Sequence, residues 1–367
     1  LNIITSAFKE LISVFNLSNT LSFLGLYNKS EKFPTFNSLK DAGIFFEVIV
    51  YLFIFKLLGS IYFPYKNIIE IIEYARERFQ YVMLNTNGIR IAEDKEFVKE
   101  LSKFKGRFEI YLQFDSFKDD VYKAIRGREL FKIKEAATNN LKEYNIPITL
   151  VMTLERDLND KEIGKVITYG IETSNIRGVN IQPVAYFGRK NGNIDRKNRV
   201  TLTDSIRLIE EQTKKMIVKE DFVPLPCNVE RVSLTYLYKT KNGFLPITRT
   251  NNIKKVLPYI NNTFTFKIED ALTNGRDIIF GSCCNPLIFL KEFKKFVPKD
   301  FMSWDLDKRS EYVSNNTFRI TISSFIDRYN FDIKSMQKEC VHIVTEDLKR
   351  IPFSSYNIIH REKYRNE

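Results

Sequence analysis

Asn85, Asn87, Gln113, Asp115 and Gln182 are the residues of this chain best placed to do chemistry. They lie at the ends of short apolar runs: Leu84-Asn85-Thr86-Asn87-Gly88, Leu112-Gln113-Phe114-Asp115-Ser116 and Val179-Asn180-Ile181-Gln182-Pro183, with Val151-Met152-Thr153-Leu154-Glu155 as a fourth run of the same kind. Amides and carboxylates just past buried strands are costly to bury without partners. Where parallel strands are joined by helices, their carboxyl ends share one edge, and such folds build ligand sites there. One such cluster would be an ordinary turn, with Gly88 free to take a positive φ. Four along one edge favour a site. Gln113 and Asp115 are two apart and so face one side of their strand, as do Asn180 and Gln182.

Two further groups carry chemical potential. Arg126, in Tyr122-Lys123-Ala124-Ile125-Arg126-Gly127, can pair with a carboxylate or phosphate, or interact with a helix end. Cys227, Cys283, Cys284 and Cys340 all lie in the C-terminal half. They form no C-x-x-C pair, which leaves a zinc ribbon unsupported, and they are too sparse for a disulfide scaffold. Four cysteines of this kind are most often buried packing residues. Thiolates gathered from distant segments can also hold an iron–sulfur cluster.

The elements that position these residues follow from periodicity. Asn67 can cap a helix whose Ile68, Ile69, Ile71, Ile72 and Ala75 form an apolar face. Strands are expected at Tyr81–Leu84, Phe108–Gln113, Ile148–Thr153 and Gly178–Ile181. Helices are expected from Asp94, from Glu129 to Tyr144, from Lys161 to Thr173, and over Ser205–Lys215 behind Thr203-Asp204. This alternation predicts an α/β fold, a parallel sheet or barrel with its helices outside. After Cys227 the alternation stops, and Val232–Tyr238 with Phe244–Thr248 read as a hairpin across Lys241-Asn242-Gly243. The chain thus divides into an atypical apolar segment at 1–64, a barrel region at 65–220, and a cysteine-bearing domain at 221–367.

Ala42–Phe63 is nearly continuous apolar sequence, close to a membrane span in length but interrupted by Glu47 and Lys56. A buried helix–strand segment and decayed sequence are the competing readings. There is no secretory signal pattern, so a cytoplasmic location is expected, with possible contact to a membrane surface. The formal net charge of +12 would suit an anionic partner. Acidic residues are interleaved with the basic ones and no nucleic-acid module is present, so nucleic acid is not expected as a partner.

Several motifs together resemble the barrel of radical SAM enzymes: Leu84-Asn85-Thr86-Asn87-Gly88-Ile89-Arg90, the Asp115 strand with Arg126-Gly127, and Val179–Pro183 with Phe187-Gly188-Arg189. Within that superfamily they resemble the archaeal group that contains tetraether lipid synthase and proteins labelled dihydropterin methyltransferases. The likeness continues through Pro224-Leu225-Pro226-Cys227, Cys283-Cys284, and Cys340-Val341-His342 with Ile351–Asn357. It implies a partial (β/α) barrel of the TIM type with an α+β extension. It also implies S-adenosylmethionine and a [4Fe–4S] cluster as cofactors, a small-molecule or lipid substrate, and an electron-donor protein. By the same resemblance, Asn85, Asn87, Gln113, Asp115 and Gln182 would line the cofactor end of the barrel. Cys227, Cys283, Cys284 and Cys340 would be candidate ligands of an auxiliary cluster. Three departures accompany the likeness. No cysteine precedes Cys227, so the family's C-x3-C-x2-C cluster loop is absent. Gly59-Ser60-Ile61-Tyr62-Phe63-Pro64 stands where the family has a Gly-Gly-Glu-Pro turn, and Ser354 stands where a cysteine is usual.

Overall fold

A computed structural model describes residues 50–51, 68–78, 82–104, 106, 108–187, 199–225, 228–241, 243–249, 296–339, 341–345 and 349–361. Its first half alternates strand and helix: β1 Val50–Tyr51, α1 Ile68–Arg78, β2 Val82–Thr86, α2 Ile89–Glu93, α3 Lys95–Leu101, β3 Phe108–Gln113, α4 Asp119–Arg126, α5 Phe131–Glu143, β4 Ile148–Leu154, α6 Ile163–Glu172, β5 Ile176–Pro183 and α7 Leu202–Gln212. The second half contains β6 Val223–Pro224, β7 Val232–Thr240, β8 Gly243–Pro246, α8 Leu306–Asn316, β9 Thr317–Ser323, α9 Ile333–Gln337, β10 His342–Val344 and β11 Arg350–Pro352.

Among the described residues, nine strands form one sheet in the order β1-β2-β3-β4-β5-β9-β7-β6, with β8 attached to β7. The run β1 to β5 and then β9 is parallel throughout. β7 lies antiparallel on β9, and β6 and β8 antiparallel on β7. Among the described residues no pairing closes this path into a barrel. The sheet draws strands from both sides of residue 220.

One face of the sheet is apolar. Ile110, Leu112, Leu150, Met152, Val179, Ile181, Ile320 and Ile322 join a single core with Ile72 of α1, Val98 and Leu101 of α3, Leu141 of α5, Val166 and Ile167 of α6, and Ile209 of α7. All five of these helices therefore cover the same face. Sequential parallel order with every crossover on one side is the winding of a (β/α) barrel wall. A doubly wound sheet carries helices on both faces.

Local chemistry sets the element boundaries. Asp94 caps α3, its Oδ1 accepting from the Phe97 N–H at 2.9 Å. Gly127 ends α4 in the left-handed region at φ 79. α7 starts at Leu202 rather than Ser205, because Thr201 and Asp204 close a reciprocal capping box around its first turn. The expected hairpin is β7 with β8, and its second strand begins at Gly243. The short helix α2, directly after the β2 turn, has no counterpart in the periodicity. β9, which pairs with β5, also has no counterpart among the expected strands, although Thr317-Phe318-Arg319-Ile320-Thr321-Ile322-Ser323 alternates strictly, as a strand should.

Within Ala42–Phe63 the described residues are Val50 and Tyr51, which pair in parallel with Val82 and Met83 of β2. The rest of that stretch, and Asn67, lie outside the described residues. No helix among the described residues is long and apolar enough to cross a membrane.

Candidate functional site

The second face of the sheet is polar. Strand register puts Asn85 opposite Tyr111, Tyr111 opposite Thr149, Val151 opposite Asn180, Thr153 opposite Gln182, and Asn180 opposite Thr321. All of these share one face, since paired residues in a sheet point the same way. Met83, Tyr111 and Val151 form a small apolar patch there, separate from the main core. Beside it lies a buried hydrogen-bonded chain. Asn180 donates to the Tyr111 hydroxyl, and Ser323 donates to Asn180 Oδ1 at 3.2 Å. Nearer the amino ends of the strands, Thr149 donates to Glu109, and Arg319 donates to Thr149 Oγ1 at 3.2 Å.

At the carboxyl ends, the five rim residues named by the sequence separate into two groups. Asp115 and Asn87 are consumed by the scaffold. Asp115 is fully buried and takes a two-pronged contact from Arg126, with Nε at 2.8 Å and Nη2 at 3.0 Å. The Thr153 N–H also donates to Asp115 Oδ1, and Arg126 Nη2 donates to Thr153 Oγ1, both at 2.9 Å. Burial disfavours the Arg126 charge, but Asp115 outweighs it and holds the guanidinium's pKa above its ordinary value. Of the two roles open to Arg126, pairing with a carboxylate is the one it takes. Asn87 is exposed, and its Oδ1 accepts from the Ile89 N–H at 3.1 Å, closing the turn into α2.

Asn85, Gln113 and Gln182 remain unspent. Asn85 Oδ1 is buried without a hydrogen-bond partner, and the side chains of Gln113 and Gln182 have none among the described residues. A buried carbonyl oxygen left open costs free energy unless a donor reaches it. These three amides share the polar face on β2, β3 and β5. They could accept from, or donate to, a ligand lying across the strand ends.

Residues that sequence reasoning passed over hold this rim in place. Asn159 donates to the backbone oxygens of Asp115 at 2.9 Å and Thr153 at 2.8 Å, and accepts from Glu155 N–H at 2.9 Å. It thereby ties the loop after β4 to the ends of β3 and β4. The Tyr122 hydroxyl accepts from the N–H groups of Asp115 at 3.2 Å and Ser116 at 3.5 Å. Burial, and then the Asp115 charge, push the Tyr122 phenol well above its usual pKa. Lys134 of α5 is 1% exposed and donates to the Asn87 carbonyl. Burial pushes its pKa from 10.5 down to about 8. The available signal was a lysine on the core face of a helix, in register with Ala137, Thr138 and Leu141.

A second buried pair braces the rim at β5 and β9. Arg199 pairs with the fully buried Asp327, which also accepts from the N–H groups of Tyr186 and Tyr329 at 2.9 Å. Cys227, Cys283, Cys284 and Cys340 lie outside the described residues. Among the described residues no group of three or more His, Cys, Asp or Glu side chains could hold a metal ion. Ser354 is fully buried; its hydroxyl donates to Glu339 at 2.7 Å and accepts from Ile326 N–H at 3.1 Å.

Residues 57–169 match the model of the radical SAM superfamily. A 7,8-dihydro-6-hydroxymethylpterin dimethyltransferase from Methanocaldococcus jannaschii is 31% identical over 332 residues, covering 80% of this chain and 64% of the relative. A protein named a probable GTP 3',8-cyclase from Thermococcus kodakarensis is 29% identical over 121 residues, 33% of this chain and 38% of the relative. The chain spans less than two thirds of the length of either relative.

Proposed function

We propose that this chain, a member of the radical SAM superfamily, binds S-adenosylmethionine across the carboxyl ends of β2 to β5 and serves chemistry on a small polar molecule. The observation that carries the proposal is the trio of unspent amides. Asn85, Gln113 and Gln182 lie on one face, at the strand ends, inside or just beyond the matched region. The superfamily's cofactors are S-adenosylmethionine and a [4Fe–4S] cluster, and its known relatives of this chain are enzymes.

The two cofactors fare differently against these residues. The open Asn85 oxygen suits an N–H donor, which both the adenine and the amino-acid end of S-adenosylmethionine possess. Asp115, Arg126, Asn159 and Tyr122 would hold the strand ends rigid around it. The cluster does not fit: iron–sulfur clusters of this class are held by cysteine thiolates, and residues 1–226 contain none.

The sheet supports the partial-barrel reading through its sequential order and its one-sided helices, with the polar face as the barrel interior. That interior also bears on the substrate. Tyr111, Asn180, Thr321 and Ser323 line it, whereas its apolar patch consists of Met83, Tyr111 and Val151. This interior is polar over most of its length, so we favour a hydrogen-bonding heterocycle, as the pterin relative's name suggests, over a lipid. The auxiliary cluster on Cys227, Cys283, Cys284 and Cys340 and the electron-donor partner remain part of the proposal by family likeness alone, and a membrane-surface contact by the basic charge alone. The absence of cysteine before Cys227 favours a second reading, a non-catalytic relative that keeps the binding site.

Calorimetry with S-adenosylmethionine, followed by anaerobic reconstitution with iron and sulfide, tests both. Saturable one-to-one binding that Asn85→Ala weakens supports the site. Release of 5′-deoxyadenosine after reconstitution supports the enzyme, and binding without release supports the second reading. A chain that takes up no S-adenosylmethionine overturns both.

A further inference from the structure

Helix α5 faces the sheet with Lys134, Ala137, Thr138 and Leu141, and a lysine is out of place in that row. The residue is 1% exposed, so its ammonium is withdrawn from water. Among the described residues it donates one hydrogen bond, to the carbonyl oxygen of Asn87, and it sits 5.8 Å from the centre of the Tyr122 ring. The charges that act on it are Asp115, which favours the ammonium, and Arg126 and Arg128, which oppose it. A charge buried on such terms destabilises the fold, and residues kept at a stability cost tend to serve a site.

What Lys134 holds is the turn that leaves β2. Inside that turn Gly88 N–H donates to Thr86 Oγ1 at 3.0 Å and Ile89 N–H donates to Asn87 Oδ1 at 3.1 Å. Gly88 sits at φ +79, and a Cβ there would lie 2.6 Å from Leu112 Cδ1 and 3.3 Å from Ala137 Cβ. The turn is therefore pressed onto β3 and α5, with Lys134 fixing its outer carbonyl. Asn85, the rim amide with the open oxygen, immediately precedes it.

We propose that Lys134 is a positioning residue: by holding the Asn87 carbonyl it locks the Thr86–Ile89 turn and so fixes Asn85 for the ligand. The ligand part of this inference rests on the S-adenosylmethionine reading above, and the turn part does not. The test compares the full chain with Lys134→Met and Lys134→Arg. In amide hydrogen exchange, Lys134→Met should lower protection at Gly88 and Ile89 about tenfold, the loss expected for one charge-assisted hydrogen bond. Protection across β4 should hold, and Lys134→Arg should restore most of the loss. Calorimetry should show a parallel loss of S-adenosylmethionine affinity in Lys134→Met and recovery in Lys134→Arg. If turn protection is unchanged in Lys134→Met, the positioning role is wrong. If the turn loosens while affinity is unchanged, Lys134 holds the turn without serving the ligand, and the proposal fails at that link. A wild-type chain that binds no S-adenosylmethionine sinks the binding reading, and exchange alone then decides the turn. Should Lys134→Met not fold, Lys134→Gln, which keeps one donor without the charge, replaces it in the same comparison.

Discussion

The burial of Lys134 makes a pH-dependent stability term that can be isolated. Its pKa falls from 10.5 to about 8, with loss of hydration as the cause. Each tenfold change in proton affinity corresponds to about 1.4 kcal/mol, so the buried charge costs about 3 kcal/mol. The side chain is 1% exposed, so solvent screening takes little from that figure. The sign follows from proton counts. Below about pH 8 both folded and unfolded chains hold the proton, and the folded state bears the whole cost. Between about 8 and 10.5 the unfolded chain still holds it and the folded chain does not. The unfolded state then binds more protons, and stability rises with pH.

Lys134→Met removes the charge and also the donor to the Asn87 carbonyl, a loss of about 1.5 kcal/mol while the ammonium is charged. At neutral pH the variant should therefore equal or exceed the wild type in stability. As pH rises to about 10, the wild type should gain about 2.5 kcal/mol relative to the variant. Urea unfolding of both proteins, followed by far-UV circular dichroism from neutral to alkaline pH, measures that difference. Other titrating groups, Tyr122 among them, are common to both chains and largely cancel. A difference that stays flat across this range would refute the buried charged state of Lys134.

Three further outcomes follow from the rim and its supports. Asp115→Ala strips the partner from Arg126, which is 27% exposed, and should cost about 3 kcal/mol in urea unfolding, the range for a broken buried pair reduced for partial exposure. Gly88→Ala should cost about 2 kcal/mol or more by the same measurement, since it imposes a left-handed backbone on a residue with a Cβ and drives that Cβ against Leu112. Ser354→Ala leaves the Ile326 N–H and the Glu339 carboxyl short of a partner and should lower stability by about 1–3 kcal/mol, read as a drop in thermal midpoint.

The fold was legible where one period held over a whole element. Phe108–Gln113 agrees with the strand expected there, and Ile148–Leu154 extends its expectation by one residue. α5 begins two residues inside its expected start at Glu129. Boundaries moved where a side chain rather than a period decides them, as with the Thr201–Asp204 capping box. β9 escaped for a different reason. Its neighbour β5 ends at Pro183, and the strand itself begins at Thr317. Local patterning states that a segment is extended, but not which distant strand it joins.

The site shows the same division more sharply. Asn85, Gln113 and Gln182 lie at the carboxyl ends of parallel strands as expected, because residue type at a strand end is a local property. It could not tell spent amides and carboxylates from open ones, because that depends on partners far along the chain. Asp115 is closed by Arg126 and by the Thr153 backbone, 38 residues away. Asn180 is closed by Tyr111 and by Ser323, 143 residues away. Asn85, Gln113 and Gln182 are left by subtraction, and subtraction needs the three-dimensional partners. Lys134 is the converse case: a long polar side chain on an apolar helix face reads as a lapse in the pattern until its acceptor, 47 residues earlier, is found at the rim. A rim whose carboxylate is neutralised by Arg126, with a second cation held behind it, leaves its neutral amides as the groups available to a ligand. Such a rim suits recognition by hydrogen bonding more than proton transfer.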